Sequence, residues 1–169
     1  MMIDIRRFWG QLSLLVLSLI GIGISIYLTS VHYENAPLIC SASGVVDCAK
    51  VLSSPYSVVP GTTIPISVPG LLWCVVMGIL AFTAWRILPE RRSLLIAELV
   101  WAVAGIITVL YLVFVELVRL HTICAWCTGL HVIILAMLLI TIVQLQQASS
   151  VLEEDDEEEE APSVVSRRG

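Results

Sequence analysis

Charge is scarce in this sequence. Asp, Glu, Lys and Arg make up 14% of its 169 residues, and apolar residues reach 58%; a soluble domain carries about 25% charge. That balance excludes an ordinary water-soluble globule. It also excludes disorder as the main state, which needs few apolar residues and many charges. A basic excess is missing too. The net charge is −5, but residues 153–169 hold eight acids and two arginines, while residues 1–152 hold seven bases and six acids. The body is nearly neutral, so it has no basic surface, and no nucleic-acid partner is expected. Fingerprints for haem attachment, nucleotides and flavins are absent as well.

What is abundant is long apolar runs. The first spans Phe8 to Val31 without a charge; the second runs from near Val68 to near Leu88. The third covers about Leu94 to Val118, with Glu98 and Glu116 close to its two ends, and the fourth about Thr122 to Leu145. Each approaches or exceeds the ~20 residues that cross a ~30 Å hydrocarbon layer as a helix. In lipid the backbone must pair within its own element or bundle, so helices follow from length and apolarity. Arg6 and Arg7 before the first run also fit a signal peptide, but the run is longer than a signal core of ~7–15 residues, and a retained anchor is expected. Gly21, Gly23 and Ser25 within it either permit close helix approach or are tolerated against lipid.

Lys and Arg set orientation. Arg6, Arg7, Arg86, Arg91 and Arg92 lie on one side of the runs; Lys50 and Arg119 lie on the other. The expectation is a cytoplasmic-membrane protein with both termini in the cytoplasm. Its fold class is an all-α four-transmembrane-helix bundle with a long extracytoplasmic loop, Tyr33 to Ser67. That loop holds the breakers Pro37, Pro55, Pro60, Gly61 and Pro65, but none between Asp47 and Ser54. A short helix with Asp47 as N-cap is expected there, Val51 and Leu52 resting on the bundle. Residues 1–148 form the membrane domain. Residues 149–169 form an acidic cytoplasmic tail whose run Glu153–Glu160 repels itself and stays disordered.

Of the five cysteines, Cys40 and Cys48 fall in the outer loop, Cys124 and Cys127 open the fourth run, and Cys74 lies two turns into the second. Cys74 reads as a small buried hydrophobe. The outer four allow two static disulfides, a zinc site or two exchanging redox pairs. Zinc fits worst, because Cys40 and Cys48 are not a short C-x2-4-C hairpin, and no metal is expected. Cys124-Ala125-Trp126-Cys127 favours exchange: at a helix start, free N–H groups and the dipole stabilise a thiolate. A structural staple gains little from closing so short a ring. His131 follows Cys127 by four residues, on the same face and about 6 Å deeper. It either bonds a neighbouring helix as a neutral imidazole or meets a ligand oxygen. Trp126 either packs at the membrane interface or shapes access to Cys127. Electrons leaving these thiols need an acceptor, and a membrane quinone lies downhill from typical thiol potentials.

The spacing Cys40-x7-Cys48, the following Val51-Leu52-Ser53-Ser54-Pro55-Tyr56, the stretch Ile64-Pro65-Ile66-Ser67 with Gly70, and Cys124-Ala125-Trp126-Cys127 resemble the vitamin K epoxide reductase family over Phe8 to Gln146. The resemblance implies a four-helix bundle around a quinone pocket, capped by the loop. It implies that Cys127 is the cysteine nearest ubiquinone or menaquinone and Cys124 its partner. Cys48 would be a shuttle that bonds Cys124 transiently, and Cys40 the contact of an extracytoplasmic thioredoxin-like protein. Ser54, Tyr56 and His131 are implied at the pocket. The activity implied is disulfide formation with electrons passed to quinone. No Asn closes the loop, where animal members use one toward the epoxide, which favours a prokaryotic-type quinone reductase. The acidic tail stands where many bacterial members carry a fused thioredoxin-like domain, so a separate partner is expected. The competing readings are a quinone or epoxide reductase serving quinone recycling, and a non-catalytic scaffold stapled by static disulfides.

Overall fold

The computed structural model describes residues 2–34, 38–40, 43–87 and 92–165. Helix α1 is Met2–Glu34, α2 Cys48–Leu52, α3 Ser67–Arg86, α4 Arg92–Phe114 and α5 Ala125–Val165. A 3-10 turn, Pro55–Ser57, follows α2, and a π-helical turn, Val115–Leu120, continues α4. Pro37, the Leu88 end of the second apolar run and Arg91 lie outside the described residues.

Four segments are long and apolar enough to cross a membrane: Arg7–Glu34, Ser67–Arg86, Arg92–Leu120 and Ala125–Ser149. The shortest has 20 residues, about 30 Å at 1.5 Å per residue, which matches the hydrocarbon layer. Large apolar side chains such as Leu19, Ile79, Phe82, Ile107, Leu110 and Leu139 point outward, while Gln11, Ser18, Ser25, Glu98, Thr141 and Gln144 are buried. A soluble protein arranges these the other way round. In lipid, apolar burial does not drive helices together; close packing and hydrogen bonds do.

The inward stripe of α1 reads Gln11, Leu14, Ser18, Gly21, Ser25, Leu28. Its alternating steps of three and four residues are those of left-handed helix packing. The stripe is small and polar, so α3 comes close. A Cβ on Gly21 would stand 2.7 Å from the Cys74 sulfur, and one on Gly78 3.3 Å from the Ser18 Cβ. Gly23 faces open space, so the two glycines divide the roles between helix approach and lipid tolerance. Thr29 and Ser67 join the seam at 2.9 Å. Leu14, Met77, Ala81, Ala102 and Met137 form the apolar centre of the bundle.

Two polar locks flank that centre. Trp73 Nε1 donates to the Trp101 carbonyl and Trp101 Nε1 to the Trp73 carbonyl, each at 3.1 Å, which ties α3 to α4. Nearer the N-terminus, Gln11 Nε2 donates to Glu98 (3.2 Å) and to Gln144 (2.7 Å), joining α1, α4 and α5.

Helix α5 continues through the acidic run Glu153–Glu160 to Val165, whereas self-repulsion alone points to an irregular chain there. The physical reason for the difference is propagation. Glu is a good helix former, and extending an existing helix avoids the cost of nucleation.

Candidate functional site

The loop between α1 and α3 folds over one end of the bundle. Gly44, at φ 58°, turns the chain so that Ser43 and Val46 pair. Val46 then pairs in parallel with Ile123, the residue before Cys124. Asp47 N–H donates to the Ile123 carbonyl at 3.1 Å, and Ile123 N–H to the Val45 carbonyl at 2.8 Å. Each of these paired residues is followed at once by a cysteine: Cys48 after Asp47, Cys124 after Ile123. Cys48 is 1% exposed and Cys124 fully buried. The pairing therefore joins the two segments that carry Cys48 and Cys124.

Local chemistry fixes α2 in that place. The Asp47 carboxylate accepts from Lys50 N–H at 3.0 Å, an N-cap bond. Lys50 Nζ donates to the Leu120 carbonyl at 3.1 Å, which fastens α2 to the end of the π turn. Cys40 and Cys48 are joined by a disulfide with Cα atoms 6.2 Å apart. Cys40 is part-exposed on the outer side of that bond.

Cys124 and Cys127 are free thiols. Cys124 stands just before α5 and Cys127 in its first turn, where N–H groups lack helical partners. Cys127 N–H donates to the Cys124 sulfur at 3.4 Å. The Cys124 thiol is held below its ordinary range: a hydrogen bond from the Cys127 thiol contributes most, and the backbone N–H groups of Cys127 and Trp126 add to it against burial and the Glu116 charge. The loop pair is thus bonded and the C-x-x-C pair free.

Beneath the pair lies a cavity of about 360 Å³. Its walls are mainly apolar, from α1, α3, α4 and α5, and its lid is the loop through Val51, Leu52, Ser54 and Tyr56. Cys127, His131 and Glu116 face it together. His131 is 8% exposed. Ser54 turns its hydroxyl back to the Val51 carbonyl at 2.7 Å, so it shapes the lid more than it offers a donor. Tyr56 is 40% exposed at the rim. Trp126 is not among the lining residues: its Nε1 donates to the Ile39 carbonyl at 2.9 Å and its ring packs 4.9 Å from Tyr27. It braces the loop from outside the cavity. Cys74 is fully buried against Gly21, apart from the cavity lining.

Glu116 is the site residue that an apolar-run reading passes over. An acid close to the end of such a run marks a boundary. Here it is 5% exposed, within the π turn, and it lines the cavity together with Cys127. His121, in the left-handed region at φ 49°, reverses the chain, and Thr122 N–H closes the turn on the Glu116 carbonyl at 3.0 Å. The only hint in sequence is the position of the acid, eight residues ahead of the C-x-x-C.

Among the described residues, no group of three or more His, Cys, Asp or Glu is arranged to hold a metal ion. The sequence model of the vitamin K epoxide reductase family matches residues 12–142. No curated protein sequence matches the chain.

Proposed function

This chain belongs to the vitamin K epoxide reductase family, and from that premise we propose that it is a membrane thiol:quinone oxidoreductase that regenerates disulfides in a thioredoxin-like protein. Membership carries the general class, a membrane oxidoreductase. One observation supports the specific reading most: Cys127 of a free C-x-x-C pair lines an apolar cavity, and the loop that lids this cavity carries the bonded Cys40–Cys48 pair. A scaffold held by static disulfides has no use for an inner pair left reduced.

The cavity fits a quinone ring. At about 360 Å³ it falls within the ~300–1,000 Å³ of small-molecule pockets. Its lining includes groups that could partner ring oxygens, among them the Cys127 thiol, His131 and Glu116. Bound there, a quinone supplies one chemistry, the uptake of two electrons and two protons.

The residues then act in sequence. A thiolate of the partner attacks the Cys40–Cys48 bond at the part-exposed Cys40 and releases Cys48. Cys48 attacks Cys124 of an oxidised Cys124–Cys127 pair and releases Cys127. The partner's second thiol attacks the mixed disulfide, leaves as the partner's own disulfide and frees Cys40, whose attack on Cys48 restores the loop disulfide and leaves the inner pair reduced. Cys127 and Cys124 then close their own disulfide as two electrons leave for the acceptor. In sum, one partner dithiol becomes a disulfide and one quinone becomes a quinol. The Lys and Arg distribution supports placing this end outside the cytoplasmic membrane. Residues 1–148 are the proposed catalytic unit, and residues 149–169 an appended cytoplasmic tail.

The test is purified protein, a reduced thioredoxin-like protein and quinone absorbance followed over time. Quinol should accumulate with wild type and not with Cys127→Ala. Parental rates in Cys127→Ala would overturn the assignment.

A further inference from the structure

We infer that the end of the bundle far from Cys124 carries a second binding site, one for water, between Arg7 and Gln11 of α1, Glu98 of α4 and Gln144 of α5. Gln144 lies about 30 Å further along α5 than Cys124, at 1.5 Å per residue. Buried side-chain atoms without a hydrogen-bond partner among the described residues gather here: Arg7 Nε and Nη2, Gln11 Oε1, Glu98 Oε1 and Gln144 Nε2. Elsewhere only the Ser18 and Ser25 hydroxyls share that condition, and a hydroxyl can rotate to a carbonyl one turn back in its own helix. The atoms at this end have no such remedy.

Their surplus is forced by the side chains themselves. A carboxylate accepts and does not donate, so Gln11 must turn Nε2 to Glu98, as it does at 3.2 Å. The same Nε2 donates to Gln144 Oε1 at 2.7 Å. Gln11 Oε1 and Gln144 Nε2 are then left over. Flipping both amides exchanges the atoms but again leaves one acceptor and one donor. The side chains are also held in place. Gln11 is 1% exposed and Glu98 fully buried. The Gln144 amide lies against Gly10, where a Cβ would stand 2.6 Å from Nε2. Arg7 precedes Gln11 by one turn on the same face of α1. Its Nε and Nη2 form one edge of the guanidinium fork, so both unpartnered donors point the same way.

The chemistry of the surplus selects the ligand. A cation would satisfy the Glu98 and Gln11 oxygens but leave the Gln144 and Arg7 donors bare and face the Arg7 charge. An anion would satisfy the donors but leave the oxygens bare and face Glu98. A lipid chain would satisfy none of them. Water both donates and accepts. A buried water makes about three hydrogen bonds, so on the order of two waters complete the set. Water in this place ties Arg7 to Glu98 and gives a carboxylate at membrane depth its counter-charge. The site is distinct from the quinone cavity, whose lining contains none of these four residues. The apolar centre around Leu14, Met77 and Met137 lies between the two.

The test is proton-detected NMR of the isotope-labelled full chain in nanodiscs, reading magnetisation transfer from water to side-chain N–H groups. Transfer should reach the Gln144 Nε2–H and Arg7 Nε–H signals. It should persist when a soluble paramagnetic agent quenches the bulk water. In Glu98→Met the oxygen that anchors the water is gone, and transfer to both signals should be lost. Wild type without transfer to Gln144 Nε2–H would overturn the site. Transfer that the agent removes would overturn it too, since that marks an open crevice. Parental transfer in folded Glu98→Met would overturn the part given to Glu98. Should Glu98→Met not fold, the wild-type spectra decide alone, by the same two outcomes.

Discussion

At the residue scale, the environment of Cys124 favours its ionisation. The Cys124 thiol is held below its ordinary range first by the Cys127 thiol. Cys127→Ala removes that donor, so the Cys124 pKa should climb back toward its ordinary value of 9.0. Ultraviolet thiolate absorbance during a pH titration, in a Cys74→Ala background, reads this directly. The sign for stability follows. A thiol with a depressed folded pKa contributes stability that is full above its unfolded value and is lost as pH falls through the folded one. The stability gap between wild type and Cys127→Ala should therefore be widest above the ordinary thiol range and narrow on acidification. Cys40→Ala separates the two couples: a small dithiol that reaches Cys124 directly should still drive quinone reduction, whereas the thioredoxin-like protein should not. The cysteines were legible because thiols at one end of apolar runs are conspicuous. Glu116 was not, since a carboxylate near the end of a run looks like a boundary until the fold sets it in the same cavity lining as Cys127. Trp126 was half legible. Its place in the motif was plain, but its side depended on Tyr27 and Ile39, both far away in sequence.

At the element scale, apolar length located the helices, and their edges depended on partners in space. The fourth run begins at Thr122, yet α5 begins at Ala125. Residue 123 is occupied instead by pairing with Val45–Asp47, which places Cys124 at the helix mouth. No periodicity marks the π turn, because every face of that run is apolar. The loop's docking depends on small contributions. Asp47→Ala removes the cap of α2, worth about 1 kcal/mol. Freed from it, α2 should fray, and Cys48 should exchange with Cys124 more slowly while direct reduction by a small dithiol stays parental; stopped-flow quinone reduction with each donor tests this. The cavity wall has its own weak point. A Cβ on Gly105 would stand 2.5 Å from the Trp73 ring. Gly105→Ala should push Trp73 off its bond to Trp101, cost about 1–3 kcal/mol, and raise the KM for quinone more than it lowers kcat.

At the scale of the whole molecule, the bundle is an inverted globule. Its outer surface is the apolar one, and its interior holds serines, glutamines and the carboxylates of Glu98 and Glu116. Composition alone revealed the membrane, but which stripe of each helix turns inward was hidden. The α1 stripe runs through Ser18, Gly21 and Ser25, residues that hydropathy barely distinguishes from a lipid-facing face. The inversion supports the proposed function: a greasy exterior admits a quinone from the bilayer, and the loop at one end admits a protein partner from water. Fused reporters should read the residue 149–169 end as cytoplasmic and the Cys40 loop as external. The central claim is that the loop couple and the inner couple trade sulfur bonds. The most direct measurement is the covalent link itself. In the double variant Cys40→Ala, Cys127→Ala, the two remaining exchange thiols have no alternative partners, and non-reducing peptide mass analysis should find Cys48 bonded to Cys124 in most molecules. Cys48 and Cys124 both recovered as free thiols under oxidising conditions would contradict the relay.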